Sequence, residues 1–395
     1  MFSQEEHLNR IQRLQHMLRE QNIDLFVIFD STNLFYYTGT GQNGVLLVPA
    51  EGDSRFLVRR SLERAHLESP LDIITGMKSF REVPTTLEAM GVTAKTIGYA
   101  GSLVPAGLLA LFQKYLPAEL VMKDIQLPFM FLRAVKSEKE IEFLKTAGEK
   151  QAAIYAKIPS MLQEGMSEWD LAVEIQYQMM KSGDPCFTRM STFNALMGSG
   201  NVSFGKSGNY PTAFDGPGGS IGNNKAIPIL GSPERKLQAD EPIYIDFLFS
   251  EQGYHVDCTR VFSINKPAQA HLDVFQKCIE LQDHMVKQLI PGNIPENIFT
   301  SAYEKSKELN ITEGLMGGGS NQVGFFGHGI GLVVDEMPVI APKFKQALEA
   351  GMVIAIEPKV GIEGFGLVGI ENTWLVGEEG AEKITPADDN WKHLS

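Results

Sequence analysis

Two apolar runs of strand character, residues 243–249 and 254–263, flank Ser250-Glu251-Gln252-Gly253 and predict a β-hairpin with a four-residue loop. Each run carries one acidic residue, and pairing Phe249 with Tyr254 sets Asp246 opposite Asp257. Like charges facing each other across a sheet are destabilising, and Asp is depleted from apolar strands. Two readings follow: a cation lies between the carboxylates, or a slipped register leaves one Asp at a loop edge.

The rest of the chain falls into two patterns. Leu8, Ile11, Leu14 and Leu18 recur at helical spacing, and the apolar run 24–29 predicts a buried strand. Strands are expected at 33–38, 44–48 and 55–58, and helices at 61–67, 83–90 and 107–115. This makes an α/β unit over residues 1–132, with no Gly-rich phosphate loop after a strand and no catalytic cluster. From residue 133 the pattern changes. Ser137 and Glu140 have the spacing of a capping box, which predicts a helix to about Ala156; Ser167 and Asp170 open a second one, continued by Leu171, Ile175 and Met179. Helices are also expected at 271–289 and 295–309, with Pro295 in the first turn. Residues 198–231, rich in Gly, Asn, Pro and Ser, are read as a long irregular loop and a candidate wall or lid.

The last third adds the remaining chemistry. His328 lies between glycines in Gly327-His-Gly-Ile-Gly331, where the backbone can bring an imidazole close to a partner; a structural His is the alternative. The segment 351–376 reads as two apolar strands, each with one glutamate. Glu357 and Glu371 are evenly spaced about Gly364, so they can oppose each other across a hairpin. Four carboxylates and an imidazole suit two hard divalent ions, and the imidazole favours Mn, Fe, Co or Zn over Mg or Ca.

Composition sets the outer limits. A chain of 395 residues with 43% apolar and 21% charged residues has room for about two domains with their own cores. A formal charge of −13, without a Lys/Arg cluster, argues against nucleic acid as a partner. Cys186, Cys258 and Cys278 are an odd number without paired spacing, which points to a reducing compartment. Cys258 is read as a structural thiol on the strand face opposite Asp257. The N-terminus lacks a signal peptide's apolar core, and no run approaches a membrane-spanning length. The expectation is a cytoplasmic protein that engages no membrane.

These residues resemble the metallopeptidase family of the pita-bread fold: methionine aminopeptidases, aminopeptidase P, prolidases and the non-peptidase creatinases. In the first domain the resemblance rests on Asn33-Leu-Phe-Tyr-Tyr-Thr-Gly39 and on the junction Arg133-Ala-Val-Lys-Ser-Glu-Lys-Glu-Ile141. In the second it rests on Asp246, then Asp257-Cys-Thr-Arg260 eleven residues on, then Gly327–Gly331, Ile356-Glu357-Pro358 and Glu371. It implies an α/β creatinase-like N-terminal domain, residues 1–132, followed by an α+β pita-bread catalytic domain, residues 133–395. It further implies two divalent transition metal ions. Asp257 and Glu371 would bridge them, Asp246 would hold one, and His328 with Glu357 the other, with Glu357 also carrying a proton. The family's homodimer is implied as well.

The chain also departs from the family. The peptidases' additional histidines are replaced: Asp335-Glu336 stands where His-Glu is usual, Gly324 stands four residues ahead of His328, and Phe204 stands where a third His would be. His255 is expected on the Asp257 face. Lys359 is expected either to point toward the metals and hold a substrate carboxylate or to face solvent at a strand end. The expected activity is a dinuclear metallohydrolase of the Xaa-Pro aminopeptidase or dipeptidase type with an altered small amide or dipeptide substrate. Glu357, Asp335 and His255 are the catalytic candidates, and Phe204, Phe325 and Lys359 the substrate contacts. The alternatives are a metal-dependent lyase on a small zwitterion with Asp335 as base, and a metal-binding homologue with weak catalysis.

Overall fold

The computed structural model describes residues 2–190, 197–212, 216–319 and 322–394. It divides into two units, Met1–Arg133 and Ala134–Ser395. The first unit runs α1 (Gln4–Glu20), β1 (Leu25–Ile28), α2 (Ser31–Thr38), β2 (Gly44–Pro49), β3 (Arg55–Val58), α3 (Leu62–Glu68), β4 (Ile74–Gly76), α4 (Val83–Ala89), β5 (Thr96–Tyr99), α5 (Ala106–Gln113), β6 (Val121–Asp124) and α6 (Gln126–Phe131). The strands form one mixed sheet in the order β4-β3-β2-β1-β5-β6. Leu25, Val27, Val45, Leu47 and Ile97 of the sheet pack in a buried cluster with Phe80 and Phe112. Residues 33–38, expected as a strand, belong to helix α2. Asp30 caps it by accepting from the Asn33 backbone N–H, and Gly39, at φ 79°, ends it. The aromatic run had concealed these end signals.

The second unit opens with α7 (Glu138–Tyr155), α8 (Ile158–Met161) and α9 (Glu168–Lys181). The expected capping boxes at Ser137/Glu140 and Ser167/Asp170 are both formed. Next come β7 (Gly200–Phe204), β8 (Ile243–Glu251), β9 (Tyr254–Ser263), α10 (Gln269–Val286), α11 (Pro295–Glu308), β10 (Gly327–Gly329), β11 (Glu336–Val339), β12 (Val353–Ile356), β13 (Lys359–Ile362), β14 (Gly366–Gly369), β15 (Asn372–Val376), β16 (Ala381–Lys383) and β17 (Lys392–His393). They build a four-stranded sheet β17-β9-β8-β7, a five-stranded sheet β11-β10-β12-β15-β16 and the ribbon β13-β14. A bridge between Thr259 and Glu371, the residue before β15, joins β9 to the five-stranded sheet.

Two expectations change here. The β8–β9 hairpin closes through Gln252 and Gly253, with φ of 51° and 85°, so Glu251 pairs with Tyr254 and Asp246 with Thr259. Such a two-residue turn matches the strand twist better than the four-residue loop. Because the register moves by two positions, the side-chain face is kept: Asp257 stays on the Asp246 face as its diagonal neighbour. The stretch 198–231, expected to lack regular structure, contributes strand β7 and a 3-10 turn at Gly205–Asn209. Pairing with β8 supplies the order that its composition does not signal. Residues 213–215 of that stretch lie outside the described ones.

One face of the hairpin is covered by α7, whose Tyr155 stacks on Phe247 with ring centroids 4.5 Å apart. The other face carries Tyr244, Asp246, Asp257 and Thr259. Among the described residues no helix is long and apolar enough to cross a membrane. All three cysteines are free thiols, and burial pushes those of Cys258 and Cys278 up to about 12.

Candidate metal centre

The acidic and imidazole side chains reach one place because three strand systems meet there. Strand β9 presents Asp257, and its backbone N–H donates to Thr373 Oγ1 at 2.9 Å. Two residues on, Thr259 Oγ1 donates to Glu371 Oε2 at 2.9 Å. The ladders β12–β15 and β13–β14 keep one register, and continuing it into the gap between them sets Glu357 opposite Glu371. His328 arrives on β10, which is squeezed between β11 and β12. A Cβ at Gly327 would come within 2.2 Å of the Ala355 carbonyl oxygen, and one at Gly329 within 2.3 Å of the Met337 carbonyl oxygen. The glycines around His328 are therefore required by close backbone approach.

Ligand atoms of Asp257, His328 and Glu371 lie within 4.8 Å of one another, and all three residues are buried. His328 Nδ1 faces the carbonyl oxygens of Gly329 and Val334, each at 3.1 Å, so the proton belongs on Nδ1 and Nε2 is left as a ligand. That Nε2 is 3.7 Å from Glu357 Oε1. Glu371 Oε1 is buried and has no hydrogen-bond partner among the described residues. A buried carboxylate oxygen without a donor calls for a cation, and this set of two carboxylates and an imidazole fits a divalent transition metal.

Asp246 has a different surrounding. Its Oδ2 accepts from Tyr244 Oη at 2.7 Å and from Lys359 Nζ at 3.0 Å. The Lys359 ammonium also donates to Glu357 Oε2 at 2.8 Å and to Glu371 Oε2 at 2.7 Å. Lys359 is only 1% exposed, so it lies on the metal side of the strand and not in solvent. Its ammonium thus lies among three of the five expected metal ligands.

Burial pushes the Asp257 carboxyl well above the usual range, helped by the charges of Glu371 and Asp246. Burial likewise raises Glu371, to about 8, although Lys359 opposes it. For Lys359 burial acts downward, but Asp246, Glu357 and Glu371 outweigh it and hold the ammonium charged. These shifts set a pH dependence. In the cation-free chain Glu371 keeps its proton when folded and loses it near 4.5 when unfolded, so stability falls as the pH rises from 4.5 toward about 8. Cation binding must expel that proton, so affinity for Mn²⁺ is expected to climb over the same window, by up to about tenfold per pH unit for each proton released. Calorimetric titrations at several pH values between these limits check this; a flat affinity would contradict it.

The other candidates are placed as follows. Phe325 is half-buried with its ring edge-on to His328, centroids 6.3 Å apart. Asp335 Oδ1 is 3.8 Å from His328 Nδ1, on the ring side away from Nε2. Neighbouring Glu336 is tied to Lys136 at 2.7 Å in a buried ion pair. His255 is buried with Nδ1 3.2 Å from the Gly331 carbonyl oxygen and Nε2 3.4 Å from that of Phe187; burial lowers its pKa, so the ring is neutral. Both nitrogens thus face backbone, and none of the four site carboxylates is its partner. Phe204 pairs with Ile243, while Asn201 pairs with Asp246. Strand alternation therefore turns Phe204 to the opposite face, where it is fully buried, away from any substrate at the carboxylates. Tyr244 and Thr259 were not foreseen; each lies two residues from one of the hairpin aspartates, and alternation alone would have placed them on its face.

The chain matches the model of metallopeptidase family M24 over residues 142–378 and that of the creatinase/prolidase N-terminal domain over residues 10–135. It is 26% identical over 382 residues to an Xaa-Pro dipeptidase of Pyrococcus furiosus, covering 96% of this chain and 98% of that protein. It is 28% identical over 254 residues to a probable dipeptidase, PepE, of Mycobacterium tuberculosis, covering 64% of this chain and 59% of that one. Among solved structures, an Xaa-Pro dipeptidase from Bacillus anthracis superposes with a TM-score of 0.82 at 22% identity, covering 98% of this chain and all of that one (100%). An X-Pro aminopeptidase from Thermotoga maritima does so at 0.77 and 22%, covering 97% of this chain and 99% of that one. The creatinase-type domain followed by a pita-bread catalytic domain is thus the fold. With its catalytic-domain match alone spanning more than half of the sequence, this chain belongs to metallopeptidase family M24, a family of metal-dependent hydrolases.

Proposed function

We propose that this protein is a metal-assisted hydrolase of short peptides or small amides, of the Xaa-Pro dipeptidase kind, with a pocket altered from that of an efficient peptidase. The convergence of Asp257, His328 and Glu371 around an unpartnered, buried carboxylate oxygen carries this reading. The likeness to Xaa-Pro dipeptidases along the whole chain supports it. Asp257, His328 and Glu371 would hold a divalent cation, which would supply Lewis acidity and lower the pKa of a bound water. The chain's own side chains do the rest. Nδ1 contacts hold the His328 ring in place, Glu357 is positioned to accept a proton beside Nε2, and Phe325 offers an apolar wall for a substrate side chain.

The pocket differs where a tetrahedral intermediate needs donors. Gly324 has no side chain to donate, an ionised Asp335 accepts and does not donate, and Phe204 is turned away. Each lost donor of that kind costs a factor of about 10² to 10³ in rate. Slow turnover of Xaa-Pro dipeptides and faster turnover of some smaller amide are therefore expected when the purified protein is loaded with Mn²⁺ or Co²⁺ and assayed against both sets. No turnover of either at high enzyme concentration overturns the hydrolase reading and leaves a metal-binding homologue. The lyase alternative gains nothing from the geometry, since Asp335 borders the Nδ1 side of His328. A cytoplasmic homodimer remains part of the proposal, the free thiols supporting the compartment and the family resemblance the assembly.

A further inference from the structure

The three hydrogens of the Lys359 ammonium meet three carboxylates, Asp246, Glu357 and Glu371, at 2.7–3.0 Å, so its donors are fully used. These are ammonium distances, whereas a transition metal draws carboxylate oxygens in to about 2.0–2.2 Å. The side chain is also built in. Gly369 is the cross-strand partner of Lys359, and a Cβ there would lie 2.6 Å from the lysine Cα and 2.8 Å from its Cγ, so the missing side chain is the notch through which the lysine stem passes.

On the far side of Glu371 two lone-pair atoms are open to a cation: Oε1 has no partner among the described residues, and His328 Nε2 carries a lone pair. Glu357 turns one oxygen to each side, Oε2 to Lys359 and Oε1 toward Nε2. Charge points the same way. Four carboxylates balance two divalent ions or, nearly, one such ion plus an ammonium; a second divalent ion beside a retained ammonium would meet strong repulsion at contact distance.

We propose that this centre takes one divalent transition-metal cation, at Asp257, His328 and Glu371, and that the Lys359 ammonium replaces the second cation among Asp246, Glu357 and Glu371. The proposal rests on the metal-assisted reading above. It makes Lys359 a positioning residue: it holds three carboxylates in place as a metal would, without a metal's Lewis acidity.

Metal counting decides it. Protein stripped with chelator, equilibrated with Mn²⁺ and freed of excess is expected to carry one ion per chain, with the electron paramagnetic resonance signal of an isolated Mn²⁺. Lys359→Ser, produced and purified with Mn²⁺ present, is expected to carry two, a doubling, with the signal of a spin-coupled pair; Lys359→Gly serves if the serine variant does not fold. Wild-type protein carrying two ions or none overturns the proposal, as does a folded variant that stays at one. Wild-type stoichiometry stands even if neither variant folds. Turnover does not enter the count, so one ion without hydrolysis would refute the hydrolase reading and leave the single-cation centre standing.

Discussion

Replacing Lys359 by methionine is expected to destabilise the cation-free protein by about 3–5 kcal/mol, the cost of breaking a buried ion pair by removing one partner. Methionine fills much of the same volume, so the loss is electrostatic and not a cavity effect. Asp246, Glu357 and, as the pH nears 8, the ionising Glu371 now share an ammonium and would face one another with no compensating charge. Some relief comes from protonation. That relief weakens as the pH rises, so the deficit is expected to be greater at pH 8 than at pH 6. In a unit of this size the melting temperature falls by roughly 10 °C in chelator. Mn²⁺ should recover much of this, because a ligand that binds only the folded state stabilises it by mass action. Calorimetric scans of both proteins with and without chelator test this. An unchanged transition in chelator would mean that the lysine does not hold the cluster together. Lys307→Met, which removes an exposed pair with Glu304, should leave the transition near that of the wild type.

The same lysine marks how far the sequence could be read. Strand alternation places it on the Glu357 face, but whether a strand-end lysine turns inward depends on what its cross-strand neighbour leaves open, and Gly369 is distant in the pattern. The convergence of the acids and the imidazole was legible because each has a local signature: acids in apolar strands, and a histidine among glycines that only close backbone packing explains. The hairpin register was misread, yet the face survived, since a shift of two positions preserves alternation. Phe204 shows the opposite limit. Its place in the motif suggested a substrate contact, while alternation along β7, with Asn201 paired to Asp246, turns it into the core. Helix α2 was missed because an aromatic stretch looks strand-like and its helix is fixed by Asp30 and Gly39 at its ends.

Arg260→Lys is expected to cost stability and metal affinity together. Arg260 is 2% exposed and points to the face of β9 opposite Asp257. Its guanidinium donates to the carbonyl oxygens of Thr259, Glu371, Ala387 and Asp388 at 2.6–2.9 Å, and to Asn372 Oδ1 and Asp389 Oδ1 at 2.7 Å. An ammonium has three hydrogens at one point and cannot span these acceptors, so several buried oxygens lose their donor, and the loss is about 3 kcal/mol or more. One of those oxygens is the backbone carbonyl of Glu371, the residue whose side-chain Oε1 lacks a partner among the described residues at the candidate metal centre. Slackening it should weaken Mn²⁺ binding by about 10- to 100-fold, the usual effect of removing a group that orients a ligand. Denaturant unfolding in chelator and Mn²⁺ titration of the folded variant separate the two effects. A variant that loses stability but binds Mn²⁺ as tightly as the wild type would confine Arg260 to the core, because the fold would then be positioning Glu371 without it.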